Sequence, residues 1–350
     1  MSRFYSKAIN FYTEEAIDSA YAWLCKQRVH FPPDADIWHL RFHWATERLL
    51  LLEQLRQQTF QFSPMSTIIK TNGDAIQLWS AIDALVLKAI SLVLPGYLRL
   101  SCHCTHVKGH GGLKATVNDV QCHLHHYKFV MRTDVKNYYS TIDHTILLNQ
   151  LAQDIKDRFL FRLLCLYVRR ATERGGLYMD IQKGISRGCA LSPIIAAYYL
   201  NALDDRLSVT GVYYVRYMDD ILIMSATRWQ LKRAIRLLNQ TFNELKIEQA
   251  PDKTFIGRIE RGFDFLGYRY SRQPLQLAAV TVERFRARYH RLYEQQQTAP
   301  DQGTVVLGDY VKRWRRWAAA GLAGLHTVLG LPPPSKGDPI VEKKLLRGPV

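Results

Sequence analysis

The stretch that most constrains how this chain folds runs from Val212 to Met224, Val-Tyr-Tyr-Val-Arg-Tyr-Met-Asp-Asp-Ile-Leu-Ile-Met. Two short apolar runs, rich in β-branched and aromatic residues, flank an acidic pair, Asp219 and Asp220. Such runs favour β-strands, so the sequence predicts a hairpin with the acidic pair at its turn. Two adjacent carboxylates in an apolar hairpin repel each other and are costly to desolvate unless positive charge compensates them.

A divalent cation compensates such a pair well, and carboxylate oxygens suit Mg²⁺ or Mn²⁺. In two-metal sites the ions lie about 3.5–4 Å apart and stabilise the attacking and leaving oxygens of a phosphoryl transfer. The acidic pair therefore predicts a metal-dependent site for phosphoryl transfer. An ordinary exposed Asp-Asp turn is the alternative that these residues alone leave open.

The charge balance of the chain indicates its partner. Lys and Arg number 47 against 31 Asp and Glu, a net charge of +16, which favours a polyanion. Nucleic acid is the first candidate and a membrane surface the second. No run approaches the roughly 20 apolar residues of a transmembrane helix, and the first residues lack the apolar segment of a secretory signal. We therefore expect a cytoplasmic protein with no membrane partner.

The beginning of the chain is predicted to be mainly helical. Apolar residues recur at helical spacing over residues 14–58, and Phe31-Pro-Pro-Asp34 separates two helices. Ser66–Gly73 predicts a strand that enters an Asn-Gly turn, and Ala81–Leu94 predicts a buried helix. Lys70, beside the turn, is a candidate phosphate ligand, with a solvated hairpin lysine as the alternative.

Cysteine and histidine residues crowd between residues 101 and 126. A structural zinc site needs two pairs of ligands, each pair separated by two to four residues, and the spacing here does not follow that pattern. We therefore favour a glycine-rich loop that places Lys108 and His110 near a phosphate backbone. Metal binding by this region stays open.

Asp134 is the candidate for a third carboxylate of the site. Phe129–Val135 predicts a strand that ends near this residue, and Ser140 or Thr141 is predicted to cap a helix that begins near Asp143. An acid at a strand end, beside a hairpin acid, is a candidate metal ligand. For Asp143 an ordinary first-turn helix acid is the favoured interpretation.

Five short segments resemble, in order and spacing, the palm motifs of reverse transcriptases, which are RNA-directed DNA polymerases. These segments are Asp134-Val-Lys-Asn-Tyr-Tyr139, Gly184-Ile-Ser-Arg-Gly-Cys-Ala-Leu-Ser-Pro193, Tyr217-Met-Asp-Asp220, Asp252-Lys-Thr254 and Phe265-Leu-Gly267. Two upstream segments, Leu52–Pro64 and Lys70–Gly73, resemble the start of the fingers in the group II intron-like bacterial branch. Five motifs in family order are a specific signal where each alone is weak.

The resemblance implies an α+β fold, a right-hand polymerase with fingers, a palm of antiparallel strands with flanking helices, and a helical thumb. The expected division is an N-terminal helical region 1–64, fingers 65–127, palm 128–270 with fingers and palm elements interleaved, helical thumb 271–331 and a flexible tail 332–350. About 80 residues follow Gly267, enough for a thumb and too few for an added endonuclease domain. We therefore expect a stand-alone enzyme that does not cut its own target.

The resemblance also implies roles for single residues. Asp134, Asp219 and Asp220 match the catalytic carboxylates, which with Val135 are expected to hold Mg²⁺, or Mn²⁺ in its place. Lys253 matches the lysine that protonates the leaving pyrophosphate, and ammonium is a compact proton donor beside a polyphosphate.

Substrate contacts are implied as well. Tyr139 matches the bulky residue that excludes the 2′-hydroxyl of a ribonucleotide, and Gly188, without a β-carbon, lets template and nascent base pair approach the backbone. The full implied set for the substrate is Lys70, Asn137, Tyr138, Tyr139, Arg187 and Gly188. The implied primer grip consists of Phe265, Leu266 and Gly267.

Two departures from the family pattern concern the substrate. Arg187 stands before Gly188 where the family usually has Gln, which is expected to alter template contact or nucleotide positioning. The arginine that family fingers place after the hairpin lysine is not matched, because Ala75-Ile-Gln77 occupies that stretch. Binding of the triphosphate is therefore expected to differ from the family pattern.

Basic and aromatic residues alternate near the end of the chain, in Val282–Tyr293 and Tyr310–Trp317, which are helix-like. Between residues 282 and 317, eight basic residues stand against four acidic ones, which suits a duplex backbone and resembles a polymerase thumb. The alternative is a solvated helix face with its aromatics in a core, and both can hold together. The eight are Arg284, Arg286, Arg288, Arg291, Lys312, Arg313, Arg315 and Arg316.

The leading hypothesis is an RNA-directed DNA polymerase whose partners are an RNA template, a DNA or RNA primer and deoxynucleoside triphosphates, with a structured cognate RNA as a further candidate. One alternative is a defence polymerase that makes DNA without a template, for which the altered Arg187 leaves room. Another is an RNA-binding splicing or assembly factor with an idle polymerase site. The intact acidic triad argues against the last, because a binding protein gains nothing from carboxylates that face phosphates.

Overall fold

A computed structural model describes residues 10–319 except 70–72, 74 and 299. The predicted phosphate ligand Lys70 and the predicted tail 332–350 lie outside the described residues. The helices are α1 Glu14–Gln27, α2 Asp36–Phe42, α3 Trp44–Arg56, α4 Ala81–Val93, α5 Gly112–His123, α6 Tyr138–Thr141, α7 His144–Asp154, α8 Arg158–Val168, α9 Ser192–Tyr199, α10 Asn201–Ser208, α11 Arg228–Glu244, α12 Ala279–Thr298 and α13 Pro300–Ala318. The strands are β1 Met65–Ile69, β2 Ala75–Leu78, β3 Phe129–Thr133, β4 Ala171–Arg174, β5 Leu177–Asp180, β6 Tyr213–Tyr217, β7 Asp220–Ser225, β8 Phe255–Arg258, β9 Phe263–Phe265, β10 Tyr268–Tyr270 and β11 Gln276–Leu277.

The central sheet is antiparallel throughout, in the order β6-β7-β3-β8. Strand β7 is one of the two inner strands, and its apolar run Ile-Leu-Ile-Met after Asp220 is buried on both faces. Ile221 and Ile223 pack into one core, and Leu222 and Met224 into a second core on the other face.

Helices from different parts of the chain cover the two faces. Residues of α4, α7, α8, α9, α10 and α11 share the first core with the N-terminal helices, whereas α5, β9 and β10 supply the second. The N-terminal region contains three helices where two were predicted, because the backbone of His43 leaves the helical conformation between α2 and α3. The break expected at Phe31-Pro-Pro-Asp34 does separate α1 from α2.

A second sheet has the order β2-β1-β4-β5. β1 and β2 form the predicted hairpin, and Met65 of β1 pairs in parallel with Thr172 of β4. Because β4 and β5 come from residues 171–180, this sheet combines strands from the segments predicted as fingers and as palm. A third sheet, β11-β10-β9, leads into α12 and α13.

The helix after the Asp134 segment begins differently from its prediction. Asp143 itself is the N-cap of α7, and its Oδ1 accepts a hydrogen bond from the Ile146 amide at 3.0 Å. Its Oδ2 accepts a second one from Lys246 Nζ at 2.9 Å. The predicted caps Ser140 and Thr141 lie instead in the short helix α6. The carboxylate of Asp143 therefore has the structural role favoured for it, not a place in the metal site.

Candidate active site

The turn between β6 and β7 presents Asp219. Tyr217 pairs with Asp220, so Met218 and Asp219 are the two turn residues. Met218 has a φ of 58°, a left-handed conformation that costs a non-glycine residue on the order of 1 kcal/mol. Primed two-residue turns of this kind match the twist of the flanking strands. The hairpin therefore ends with Asp219 at its tip and Asp220 at the first position of β7.

Asp134 reaches the same end of the sheet from β3. Thr133 pairs with Ile221, and continuing this antiparallel register by one residue places Asp134 opposite Asp220. The Asp134 carbonyl accepts a hydrogen bond from the Ala250 amide at 2.8 Å, which fixes its backbone, and the residue is only 6% exposed. The three carboxylates predicted from the sequence therefore converge on one end of the central sheet.

Burial and mutual repulsion shift the pKa values of the carboxylates in this cluster. Burial, followed by the charge and hydrogen bonding of Asp134, raises the pKa of Asp219 to about 7. Burial and the charge of Asp134 raise the pKa of Asp220 to about 6, although Lys253 and Arg132 act in the opposite direction. The Lys253 ammonium forms an ion pair with Asp134 Oδ2, and this hydrogen bond raises the lysine pKa.

The donor set fits a divalent cation. Carboxylate oxygens are the ligands of Mg²⁺ and Mn²⁺, and the ammonium of Lys253 already stands against Asp134 as a cation would. Val135 pairs with Gln249, and hydrogen bonds on either side of this pair direct the Val135 peptide groups toward β7. Within residues 10–319, apart from the gaps given above, no group of three His, Cys, Asp or Glu side chains is close enough to hold an ion together.

The two adjacent tyrosines predicted to contact the substrate lie in different surroundings. Tyr139 is half-buried, and burial followed by the charge of Asp219 raises its pKa to about 12, with Arg187 acting in the opposite direction. Tyr138 is 2% exposed, and its hydroxyl donates to the Ala196 carbonyl at 2.5 Å. The substrate contact predicted for Tyr138 is therefore corrected, because its side chain belongs to the core.

The other predicted substrate residues are accessible. Asn137 is exposed with a φ of 51° and precedes α6. Arg187 and Gly188 are exposed, and Gly188 has a φ of 76° with open space where a β-carbon would lie. Both line a cavity of about 380 Å³, together with Trp23 of α1 and Trp79. The segment thus faces the N-terminal helices, a neighbour that sequence analysis did not predict.

The predicted primer grip forms the turn between β9 and β10. Leu266 and Gly267 both have positive φ, 49° and 85°, as a type I′ turn requires. A β-carbon on Gly267 would approach the Trp317 ring of α13 to 2.6 Å, so only glycine fits. Phe265 is 1% exposed, which corrects its predicted primer contact because the side chain packs in the second core.

Helices α12 and α13 carry the predicted basic surface. Phe285 stacks on Trp314 with ring centroids 3.9 Å apart, which joins the two helices through their aromatic residues. Seven of the eight predicted basic residues are exposed, and Arg315 is half-buried. The aromatic side chains therefore form the core of this helix pair, while the cations face solvent, as the second interpretation from the sequence describes. Binding of a duplex backbone by these cations stays a prediction.

The loop that contains Lys108 packs beside the acidic hairpin. Lys108 is exposed, whereas Cys104 is buried and pairs in parallel with Arg216 of β6. His110 Nδ1 donates to the Cys104 carbonyl at 3.2 Å, which stabilises the loop. This part of the chain thus supports the hairpin, a role that its cysteine and histidine content did not indicate.

Sequence analysis also missed a buried ion pair beneath the acidic turn. Arg216 and Asp204 are both 0% exposed, with Arg216 Nη2 and Asp204 Oδ2 at 2.5 Å. Arg216 Nη1 donates to the Met218 carbonyl at 3.0 Å, so the pair contacts the turn directly. An arginine inside an apolar strand was the available signal, because such a cation needs a buried anion.

Residues 62–270, more than half of the chain, match the family model described as reverse transcriptase (RNA-dependent DNA polymerase). The chain belongs to the reverse transcriptase family. The predicted resemblance to reverse transcriptases is thereby confirmed. The predicted fold class is confirmed too, since the helices and antiparallel sheets fit the α+β right-hand fold of reverse transcriptases.

Two relatives overlap this chain in part. Protein YkfC of Escherichia coli (strain K12) is 26% identical, over 44% of this chain and 50% of that protein. The putative COX1/OXI3 intron 2 protein of Saccharomyces cerevisiae is 22% identical, over 49% of this chain and 28% of that protein. The chain thus spans half or less of the length of these relatives.

Among solved structures, a chain of the partial Cas6-RT-Cas1--Cas2 complex matches with a TM-score of 0.41 and 18% identity. The match covers 67% of this chain and 41% of that chain.

Every helix in the described part of this reverse transcriptase is too short or too polar to cross a bilayer.

Proposed function

We propose that this chain is an RNA-directed DNA polymerase that extends the 3′-hydroxyl of a DNA or RNA primer with deoxynucleoside triphosphates on an RNA template. The observation that carries the proposal is the convergence of Asp134, Asp219 and Asp220 on one end of the central sheet. Family membership supports the reaction class.

The carboxylates of Asp134, Asp219 and Asp220 would hold Mg²⁺, or Mn²⁺ in its place, with the Val135 peptide beside them. When bound, such ions stabilise the charge that develops on the attacking and leaving oxygens. The protein's own contribution is to bring three carboxylates to one end of the central sheet, from the end of β3, the hairpin turn and the start of β7. Positioning and charge neutralisation supply most of the catalysis in phosphoryl transfer.

In the proposed reaction, the primer 3′-oxygen forms a bond to the α-phosphorus and loses its proton, while the bond from that phosphorus to the pyrophosphate oxygen breaks. Lys253 is the group that would protonate the leaving pyrophosphate. It is an ammonium bonded to Asp134, and the raised pKa keeps its proton in place until a polyphosphate arrives.

Tyr139 would select the sugar of the incoming nucleotide. Its ring is half-buried and close enough to Asp219 for the carboxylate charge to raise its pKa. A nucleotide held at Asp219 would therefore place its sugar against the ring, where an added 2′-hydroxyl would clash. Arg187 and Gly188, exposed at the adjoining cavity, would contact the template or the nascent base pair.

The primer-template duplex would bind along the basic surface of α12 and α13. Leu266 and Gly267, in the turn between β9 and β10, would contact the primer. Such binding releases counterions, so log affinity should fall against log salt with a slope of about −0.9 for each phosphate neutralised. An affinity that barely changes between low and physiological salt would contradict the role of this surface.

Template-directed incorporation tests the proposed function. The wild-type chain, given Mg²⁺, a primer and homopolymer or mixed RNA templates, should add only the nucleotide that each template specifies. Addition of the same nucleotides on every template would instead support untemplated synthesis. Tight RNA binding without any incorporation would support a binding factor with an idle site and overturn the proposal.

A further inference from the structure

The strained turn that presents Asp219 has a hydrogen-bond partner on each side of Met218. The Met218 carbonyl accepts from Arg216 Nη1 at 3.0 Å, and the Met218 amide donates to His106 Nδ1 at 3.0 Å. A left-handed non-glycine residue persists only where its surroundings determine it. His106, which lies far away in the sequence, therefore contacts the backbone beside the catalytic acid, as Arg216 does on the other side of Met218.

The contacts of His106 define its tautomer. Nε2 lies 3.2 Å from the Pro193 carbonyl, which can only accept, so Nε2 carries the hydrogen. Nδ1 must then be the unprotonated nitrogen that accepts from Met218. The Cys104 thiol, 3.2 Å from Nδ1, points to the same assignment, because burial raises its pKa to about 12 and keeps it a donor. Burial lowers the pKa of His106 to about 4, so the ring is neutral near neutral pH.

The His106 loop is itself attached to the hairpin. The Arg216 amide donates to the His103 carbonyl at 2.9 Å, and the Thr105 amide donates to the Arg216 carbonyl at 2.9 Å. These bonds add the loop to β6 as a short parallel bridge through Cys104. The His106 ring therefore connects the Pro193 carbonyl, at the start of α9, with the turn that carries Asp219.

We propose that His106 is a positioning residue for the catalytic turn, acting as a hydrogen-bond acceptor that fixes the Met218 amide and thereby the direction of Asp219. The inference rests on the proposed polymerase function. It does not assign His106 a contact with substrate. In this role the Nδ1 lone pair of His106 accepts from the Met218 amide and holds the turn in the geometry that metal binding and phosphoryl transfer require.

Two variants of the same shape separate this role from simple packing. In His106→Asn the amide oxygen replaces the Nδ1 acceptor, whereas His106→Leu has nearly the same branched shape with no acceptor. Losing a supporting contact of a metal site typically costs about 10–100-fold in activity or affinity. We expect His106→Leu to lower kcat by about tenfold with the KM for deoxynucleotide changed by less than about twofold, and His106→Asn to recover most of kcat.

Three measurements test the geometry independently of incorporation. Nitrogen-15 NMR of wild-type His106 should show the Nε2-protonated tautomer, and hydrogen exchange at the Met218 amide should be faster in His106→Leu than in His106→Asn. Mn²⁺ binding, measured by electron paramagnetic resonance, should weaken by about tenfold in His106→Leu and by less in His106→Asn.

The outcomes distinguish this inference from the proposed function. If wild-type protein incorporates no nucleotide, the polymerase proposal fails. The Mn²⁺ affinities and the Met218 amide exchange rates of the two variants still decide the role of His106. If Leu and Asn variants show the same kcat, Mn²⁺ affinity and Met218 exchange, the positioning role is overturned. An Nδ1-protonated tautomer in the wild type would overturn it as well.

Discussion

Two charged centres meet at one hairpin, and they are built in opposite ways: the Arg216–Asp204 pair is fully buried, whereas Asp219 and Asp220 are half-buried. In the first, Arg216 and Asp204 neutralise each other, and Arg216 also donates to the carbonyls of Ala197 at 2.9 Å and Met218 at 3.0 Å. In the second, Asp134, Asp219 and Asp220 face one contacting ammonium, that of Lys253. The first centre is closed, whereas the second keeps an unbalanced negative charge.

The contrast shows how buried charge differs between support and function. A buried ion pair with all its hydrogen bonds satisfied holds geometry and offers nothing to a ligand. In a half-buried carboxylate with a raised pKa, such as Asp219, the charged form is less stable than in water, and a bound cation would offset that cost. Arg216 of the closed centre donates to the carbonyl of Met218, so the buried pair helps to hold the turn that carries Asp219 of the open centre.

The largest expected effect comes from the open centre. Asp219→Asn keeps the shape of the side chain and removes one charge from the proposed cation site. We expect incorporation to fall beyond the roughly 10–100-fold that supporting residues cost, with RNA affinity nearly unchanged. Single-nucleotide extension assays measure the loss. Asp205→Asn, the same change at an exposed position of α10, is the control and should keep wild-type rates. Normal incorporation by Asp219→Asn would remove the site from this hairpin.

Substitutions in the closed centre should first of all lower the free energy of unfolding. Arg216→Met leaves Asp204 buried without its partner, and such a loss costs roughly 3–5 kcal/mol of the free energy of unfolding. The double variant Asp204→Leu/Arg216→Met should recover most of that stability, since apolar residues can replace a buried pair. Urea denaturation measures both.

The same double variant sharpens the comparison. It still lacks the donor to the Met218 carbonyl, so we expect incorporation to stay impaired by about tenfold despite recovered stability. Full activity in the double variant would show that the closed centre contributes packing alone.

The adjacent tyrosines repeat the contrast on a smaller scale, with Tyr138 closed in the core and Tyr139 open toward Asp219. Tyr139→Ala should raise ribonucleotide relative to deoxynucleotide incorporation by at least about tenfold, or about 1.4 kcal/mol in the ratio of kcat/KM values. Tyr138→Phe, which removes only the hydroxyl bonded to Ala196, should leave this ratio unchanged. A Tyr139→Ala variant with lower Tm and an unaltered sugar ratio would make Tyr139 a core residue as well.

The smallest expected effect concerns cation-free stability. Because the pKa of Asp219 is about 7 in the folded protein against an ordinary 3.8, the folded state binds a proton that the unfolded state has released between these pH values. Stability from this group is thus present below about pH 4 and lost as pH rises through 7. Asp219→Asn should therefore raise the free energy of unfolding at pH 8 in EDTA by on the order of 1 kcal/mol. The two proteins should converge near pH 4, and a constant difference would contradict the raised pKa.

Much of the fold was predictable because its signals are local. The runs around Asp219 and Asp220 predict β6 and β7, and the apolar segment from Ala81 predicts α4, since side-chain periodicity decides which backbone form buries a face. Boundaries and caps were less predictable. Asp143 caps α7 in place of Ser140 or Thr141 because the cap depends on where the preceding short helix α6 ends.

The sequence by itself determined the family, the three carboxylates and the hairpin that carries two of them, because residue type and spacing along the chain are enough for these. Only the tertiary structure decided that Tyr138 and Phe265 are core residues and that Arg216 and His106 hold the turn at Met218. Those assignments depend on which distant segments meet. The His106 and Met218 atoms that bond at 3.0 Å lie on segments more than a hundred residues apart, and no local pattern records such a contact.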